Sequence, residues 1–177
     1  MRLPAWPGAS SALLIAALGG CASLDEAECR NADWYAIGLE DGARGRPVER
    51  LGDHRRACAK YSVAPDSPRY LAGRDQGLKS FCTYERGYSD GRSGQAYAGA
   101  CPQPLAANFL AGYQRGRELH QLQQQLEQVQ REITQTKAAL KEGIPDARAR
   151  SRQVERLETL TREADQLEAR IQEAERR

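Results

Sequence analysis

Residues 35–42 read Tyr-Ala-Ile-Gly-Leu-Glu-Asp-Gly, and their pattern, aromatic-x-x-Gly-x-x-x-Gly, returns at residues 70–77, 84–91 and 109–116. On a helix, positions i, i+3 and i+7 share one face, so each copy would present an aromatic ring followed by two patches of bare backbone. A glycine inside a helix costs about 1 kcal/mol relative to alanine, so eight at fixed spacing indicate close packing that larger residues would forbid. The pattern predicts four short helices folded back on one another.

The repeated glycines are Gly38, Gly42, Gly73, Gly77, Gly87, Gly91, Gly112 and Gly116, and the aromatic partners are Tyr35, Tyr70, Tyr84 and Phe109, with Trp34 beside the first copy. The copies are too irregularly spaced for a regular solenoid. Glycine turns between short strands are the alternative, because Asp-Gly is also a turn signal. A phosphate-binding loop is disfavoured because no Gly-Lys-Ser/Thr follows. Calcium binding is disfavoured because isolated Asp-Gly pairs at Asp41 and Asp90 supply too few oxygens.

Four cysteines lie in the same part of the chain: Cys29, Cys58, Cys82 and Cys101. An even number in a small exported domain predicts two disulfides. Three pairings are possible, and we favour Cys29–Cys58 and Cys82–Cys101 because these cysteines are nearest neighbours. Each bridge would stabilise the fold by about 3–4 kcal/mol on the loop-entropy estimate. The spacing lacks a C-x-x-C pair, which disfavours a zinc site, and we expect no metal and no cofactor.

The fifth cysteine, Cys21, follows Leu-Gly-Gly at the end of a short apolar run that begins near Ala9. This ending resembles a bacterial lipobox and predicts a signal peptide over residues 1–20, a lipidated Cys21 and a linker over residues 21–28. The run is too short to span a bilayer. Ala22 rather than Asp follows the cysteine, which in such lipoproteins usually accompanies outer-membrane sorting. An ordinary secretory signal and a cytosolic N-terminus are the alternatives.

The lipobox cysteine, the four later cysteines and the glycine copies together resemble the bacterial envelope lipoproteins grouped as domain of unknown function 2799. The resemblance covers roughly residues 29–116, the Cys/Gly-rich repeat domain. It rests on Trp34, Gly38, Asp41-Gly42, Cys58, Tyr70, Gly73, Gly77, Cys82, Gly87, Gly91, Gly94, Tyr97, Cys101, Phe109, Gly112 and Gly116. It implies a small envelope lipoprotein and transfers no established activity.

From Arg117 onward the chain changes to Gln, Glu, Arg and Leu. Apolar residues recur at alternating steps of three and four, as in a coiled coil. They form two series: Leu119, Leu122, Leu126, Val129, Ile133, Thr136 and Leu140, then Leu157, Leu160, Ala164, Leu167, Ile171 and Ala174. Residues 143–146, Gly-Ile-Pro-Asp, interrupt the pattern. We predict an antiparallel coiled-coil hairpin over residues 117–177, with one long helix kinked at Pro145 as the alternative. A charged helical tail of this kind can also be a solvated spacer.

No catalytic pattern accompanies the two histidines. His54 lies in a polar segment before Cys58, where a surface position is expected, and His120 lies at the root of the coil. Neither has a Ser, Cys or carboxylate partner in a recognised catalytic order, so we expect no enzyme. The formal net charge of +2 gives no support to nucleic-acid binding.

We therefore expect a mainly α, non-catalytic protein held at the outer membrane through Cys21. Its function would be structural or as an adaptor, with the coil faces Leu119–Leu140 and Leu157–Ala174 engaging a helical envelope protein or a second copy. The alternative is small-ligand or glycan binding, with Trp34, Tyr84, Tyr88 and Tyr97 as stacking surfaces. A hydrolase that uses His54 is a distant third hypothesis.

Overall fold

A computed structural model describes residues 24–176, which form seven helices and contain no strand. The helices are α1 (Glu26–Arg30), α2 (Trp34–Ala43), α3 (Arg50–Ala59), α4 (Ser67–Phe81), α5 (Tyr84–Arg92), α6 (Leu105–Glu142) and α7 (Ala147–Arg176). The predicted mainly helical fold is confirmed, and strands with glycine turns do not occur in this range. Among the helices described, none is both long enough and apolar enough to cross a membrane.

Side chains just before the short helices fix where these helices begin. The Asp33 carboxylate accepts hydrogen bonds from two backbone N–H groups of α2, and Asp66 and Thr83 cap α4 and α5 in the same way. These bonds satisfy donors that the first turn of a helix leaves without partners. After α2 and α5 the chain turns through Gly45 (φ 65°) and Gly94 (φ 70°), a conformation that favours glycine.

The glycine repeats form two parallel helix pairs, α2 with α4 and α5 with α6. In the first pair, a Cβ on Gly38 would overlap the Tyr70 carbonyl oxygen, and a Cβ on Gly73 would overlap the Tyr35 carbonyl oxygen. One turn later, Gly42 meets the carbonyl of Arg74, so the contacts advance along both helices in the same direction. The backbones therefore touch at the glycines, as the repeat predicts.

The second pair repeats this geometry position by position. Gly87 lies against the Phe109 carbonyl and Gly112 against the Tyr84 carbonyl. The later glycines, Gly91 and Gly116, lie against the carbonyls of Tyr113 and Tyr88. Residues 29–81 and 82–120 are thus two equivalent halves, each built on one glycine-packed pair.

Each half also has one disulfide that joins the segments leading into its paired helices. Cys29 in α1 is bonded to Cys58 in α3, with the Cα atoms 5.5 Å apart. Cys82, at the end of α4, is bonded to Cys101 in the loop before α6, at a Cα distance of 5.7 Å. Each bridge joins a cysteine to the next cysteine along the chain, which is the pairing that the sequence favoured.

The two halves share a central apolar cluster. Leu78 and Phe81 from the end of α4 pack with Phe109 and Tyr113 of α6, and the rings of Phe81 and Phe109 stack at 5.3 Å. Phe109 and Leu78 are fully buried. Because this cluster takes residues from both halves, the halves form one folded unit.

Helices α6 and α7 form an antiparallel hairpin. Glu132 pairs with Arg156 at 3.0 Å, and the Arg115 guanidinium donates to the Ala174 carbonyl at 3.0 Å, so low numbers on one arm meet high numbers on the other. The two arms bury Leu119, Leu122 and Val129 against Leu160, Ala164, Leu167 and Ala174. The hairpin is therefore formed rather than the single kinked helix, and its turn at Gly143 (φ 93°) has Asp146 capping α7.

The two boundaries expected beside the repeat domain differ from the structure. The composition change near residue 117 falls inside α6, which runs unbroken from the glycine pair into the coil. Residues 24–28, the described part of the expected linker, are folded: Leu24 is buried, and Asp25 and Glu28 form a capping box on α1. The predicted signal peptide over residues 1–20 and the lipidated Cys21 lie outside the described residues.

Candidate functional site

A buried polar cluster lies inside the first half, where α2, α3 and α4 meet. The Asp41 carboxylate is 2.7 Å from Nε2 of His54 and accepts a 2.8 Å hydrogen bond from the Tyr70 hydroxyl. His54 is 3% exposed, Asp41 7% and Tyr70 0%. Asp41 directly precedes Gly42, so the close approach of α2 and α4 brings the carboxylate to Tyr70. The cluster is therefore a product of the glycine packing.

Asp41 is held ionised in spite of its burial. Burial alone would raise the pKa of this carboxyl, because a low-dielectric interior disfavours the charged form. Hydrogen bonds from His54 and Tyr70 and the charge of Arg50 outweigh burial, and the pKa of Asp41 is lowered. For Tyr70, burial and then the bond to Asp41 raise the pKa of the phenol far above its ordinary value, so the hydroxyl remains a donor.

His54 is buried, which corrects the surface position expected from sequence. An ionised carboxylate only accepts, so the proton of the hydrogen bond to Asp41 lies on Nε2. The other nitrogen, Nδ1, is buried and has no hydrogen-bond partner within the described residues. The rings of Tyr70 and Trp34 lie 5.8 Å and 6.4 Å away, centroid to centroid.

The chemistry open to this cluster follows from the burial of His54. A histidine oriented by a carboxylate has the arrangement of a general base. Here the nitrogen that would face a substrate is buried, so no substrate reaches it in this conformation. The cluster links three helices around a buried carboxylate.

The second half does not repeat the cluster. Asp90 occupies the position of Asp41 and pairs instead with Arg86, at 2.9 Å on its own helix. Phe109 stands where Tyr70 stands in the first half and carries no hydroxyl. The polar network is thus specific to one half, whereas the glycine packing is common to both.

The structure divides the predicted aromatic residues into two groups. Tyr70 and Phe109 are fully buried, and Trp34 is nearly so. Tyr97 packs in the central cluster, where its hydroxyl accepts a hydrogen bond from the Cys101 backbone. By contrast, Tyr35 is 38% exposed and Tyr84 is half-buried. In each glycine-packed helix pair, therefore, only the repeat aromatic of the second helix enters the core.

Tyr84 and Tyr88 are the stacking candidates that remain at the surface. Their rings stack at 6.5 Å on α5, and both line a shallow groove of about 280 Å³ with Arg115 and Glu175. Trp34 and Tyr97 lie elsewhere in the core. The four predicted stacking residues therefore do not form one surface.

Over residues 24–176, no group of three or more His, Cys, Asp or Glu side chains is placed to hold a metal ion.

The part of the chain that contains both glycine-packed pairs matches a known protein family. A family model described as a protein of unknown function, DUF2799, matches residues 33–118. This segment belongs to that family. The DUF2799 segment begins at Asp33, the cap of α2, and ends at Glu118 within α6, so it contains both glycine-packed pairs. It confirms the family expected from the sequence and leaves out α1 and most of the hairpin. No curated protein and no solved structure matches the chain.

Sequence reasoning missed His54 as a core residue, although a signal was present. Leu51, His54 and Cys58 are spaced by three and four, the spacing of one helix face. All three are buried on α3. A disulfide cysteine at the end of such a stripe indicates that the whole stripe faces the core.

Proposed function

We propose that the protein is an envelope adaptor, anchored at the outer membrane through a lipid on Cys21, that presents its hairpin to an acidic partner protein. The observation that carries this proposal is α6. One unbroken helix of 38 residues begins inside the glycine-packed pair and ends at the hairpin turn. A helix continuous with the domain makes the hairpin a rigid extension rather than a loosely attached tail.

The hairpin is long and fixed at its root. At 1.5 Å per residue, α6 is about 57 Å long, and the part beyond Arg117 is about 38 Å. Leu119 and Leu122 are buried at the root, where Tyr88 of α5 packs against the coil. Arg92 of α5 also pairs with Glu175 near the end of α7, at 3.4 Å. Both arms are therefore held by the second half.

The surface that would meet a partner is the tip and not the apolar stripes. The stripes expected to engage another protein bury each other between α6 and α7. Residues 137–156, around the turn, contain six Lys or Arg and three Asp or Glu. Residues 157–176 contain three Lys or Arg and six Asp or Glu. Val154 adds an apolar side chain that is 41% exposed near the tip. A basic tip on an acidic arm favours an acidic partner, because opposite charges steer encounter and orientation.

Site-specific photo-cross-linking in intact cells tests the adaptor function. A photoreactive residue at Val154 should give a discrete adduct, and one at the exposed root position Gln172 should not. Reversing the tip charges with Arg148→Glu, Arg150→Glu and Arg152→Glu should abolish the adduct. The matched control reverses two exposed arginines of the acidic arm, Arg162→Glu and Arg170→Glu, and should retain it. Equal adducts from both positions, or none from Val154, would contradict an adaptor that acts through its tip.

The anchor has a separate test. Cys21→Ser removes the thiol that would carry the lipid, and the variant should leave the membrane fraction. A Cys21→Ser protein that still fractionates with membranes would refute anchoring at this residue, whatever the cross-linking result.

Glycan binding is the second candidate, and the groove at Tyr84 and Tyr88 supports it. Stacked tyrosine rings beside Arg115 and Glu175 offer an apolar face with polar neighbours, which suits a sugar ring. Titration with chitotriose should then quench tyrosine fluorescence in a saturable way, and Tyr84→Ala should remove the response. Tyr35→Ala, at the equivalent position of the first half, is the control.

A further inference from the structure

We propose that Arg74 is the recognition residue of a binding site for small carboxylate ligands, in the groove where the two halves meet. The groove has a volume of about 290 Å³. One wall is formed by residues 47–49, between α2 and α3, and the opposite wall by residues 98–102, between α5 and α6. This site is separate from the hairpin and from the tyrosine groove.

Arg74 is a buried cation that pairs with no carboxylate of residues 24–176. It is 7% exposed, and within residues 24–176 its guanidinium forms no ion pair and one hydrogen bond, from Nη2 to the Arg46 carbonyl at 2.9 Å. Its Nε is buried and has no partner. Residues 1–23 contain no Asp or Glu that could supply a carboxylate. A guanidinium has five N–H donors, and burying such a charge unpaired is unfavourable. Nε is closed to solvent, so an anion from outside the chain would bind through the Nη atoms, neither of which is both buried and unpaired.

The equivalent residue of the second half makes the same hydrogen bond without a charge. Tyr113 occupies the position of Arg74, and its hydroxyl donates to the Gln95 carbonyl at 2.7 Å. Gln95 and Arg46 each follow the positive-φ glycine of their half. A neutral phenol thus makes the same structural hydrogen bond. In the first half, the positive charge and the remaining donors exceed that requirement.

The groove suits a small carboxylate. A planar guanidinium binds a carboxylate through two parallel hydrogen bonds. Most side chains around Arg74 are small, and those of Pro47, Val48 and Ala100 are apolar, while Glu49 and the backbone of residues 98–102 add polar surface. Arg74 is the one cation among the lining residues, and the carboxylate of Glu49 also lines the groove. A doubly charged phosphate would therefore be repelled more strongly than a singly charged carboxylate. The volume is near the lower limit of ordinary ligand pockets, which favours a small acid.

The loop opposite Arg74 has backbone groups without hydrogen bonds to described residues. Within residues 24–176, no hydrogen bond involves the backbone of Ala98, Gly99 or Ala100. A Cβ at Gly99 (φ 73°) would meet nothing within 4 Å, so this side of the groove is open. Free backbone N–H groups commonly contribute to anion sites.

NMR of the full chain tests the site, with sodium acetate as the probe and sodium chloride at equal ionic strength as the reference. Acetate should shift the Arg74 Nε–H resonance and the amides of residues 98–100 in a saturable way, and chloride should not. Phosphate should bind more weakly than acetate. Linear, non-saturating shifts with both salts, or tighter binding of phosphate, would overturn the proposal.

Variants separate recognition from folding. Arg74→Tyr copies the second half, keeps a donor for the Arg46 carbonyl and should weaken acetate binding at least about tenfold. Tyr113→Phe is the matched control and should leave acetate binding unchanged. If Arg74→Tyr fails to fold, Arg74→Lys retains the charge without the planar fork and should also weaken binding. Unchanged acetate affinity in a folded Arg74 variant would refute the assignment.

Discussion

The repeated glycines differ from ordinary helix glycines in what surrounds them. A Cβ at Gly38 would fall well inside 3.0 Å of the Tyr70 carbonyl, a backbone group that cannot move without separating α2 from α4. Gly38→Ala should therefore destabilise the protein by at least about 2–3 kcal/mol through overpacking. Urea unfolding measures this loss.

Gly52 provides the matched control for that substitution. It lies inside α3, where a Cβ would meet only the flexible end of Arg56, at 3.5 Å. Gly52→Ala should stabilise by about 0.5–1 kcal/mol, because alanine is the better helix former. Equal effects of Gly38→Ala and Gly52→Ala would show that the backbones are not in contact.

The lowered pKa of Asp41 predicts a loss of stability in acid. A carboxyl with a depressed pKa in the folded state contributes stability that is complete above its unfolded value, 3.8, and is lost as the pH falls through the folded value. Asp41→Asn should therefore destabilise strongly at pH 6 and progressively less below about pH 4. Urea unfolding of both proteins across this range measures the difference, with Asp53→Asn, half-exposed on α3, as the control. A difference that stays constant with pH would contradict the ionised buried carboxylate.

For single residues, the sequence predicts which positions are closely packed better than it predicts which polar side chains meet. The glycine spacing alone indicates which positions touch backbone, because only glycine allows that approach. Asp41, His54 and Tyr70 come from three helices, and their meeting depends on how the helices are arranged. Arg74 presents the same difficulty: nothing in its local sequence indicates that it faces a groove between halves.

Among the helices, the coil contains a matched pair of threonines. Thr136 is buried in the seam and Thr134 is exposed, and each hydroxyl donates to the carbonyl four residues earlier. Thr136→Val replaces a buried hydroxyl with a methyl group and should stabilise the hairpin by about 0.5–1 kcal/mol. Thr134→Val should change stability by less than about half of that, because its side chain stays in water. Thermal unfolding followed by circular dichroism compares them, and equal shifts would place Thr136 outside the seam.

The order and pairing of helices were only partly predictable. Helices at the four glycine copies and a hairpin follow from the glycine pattern and the heptads, but the fourth copy lies in the 38-residue α6 and not in a short helix. The pairing of the first copy with the second, and of the third with the fourth, does not follow from the sequence, because the four copies carry the same pattern. The change of composition at Arg117 marks where the buried stripe changes partner, from α5 to α7, and the backbone continues as one helix because no residue there interrupts it.

For the whole molecule, the hairpin can be shortened without altering its ends. Residues 126–132 and 157–163 face each other across the seam and are one heptad each, so deleting both preserves the apolar register. The variant should be about 10 Å shorter, which small-angle scattering measures as a reduced maximum dimension. If the hairpin acts by reach, the Val154 cross-link should also fall. An undiminished cross-link in the shortened protein would show that length is not required.

The burial of Leu24 bears on how such a protein would search for its partner. Two residues lie between it and Cys21, so the two Cα atoms are at most about 11 Å apart. With a lipid on Cys21, the folded domain would lie close to the bilayer surface and diffuse laterally with the lipid. Its distance from the membrane would stay nearly constant. The protein would then find its partner by diffusing in two dimensions along the membrane. Because the hairpin is continuous with the domain through α6, its tip would stay within a fixed range of distances from the bilayer.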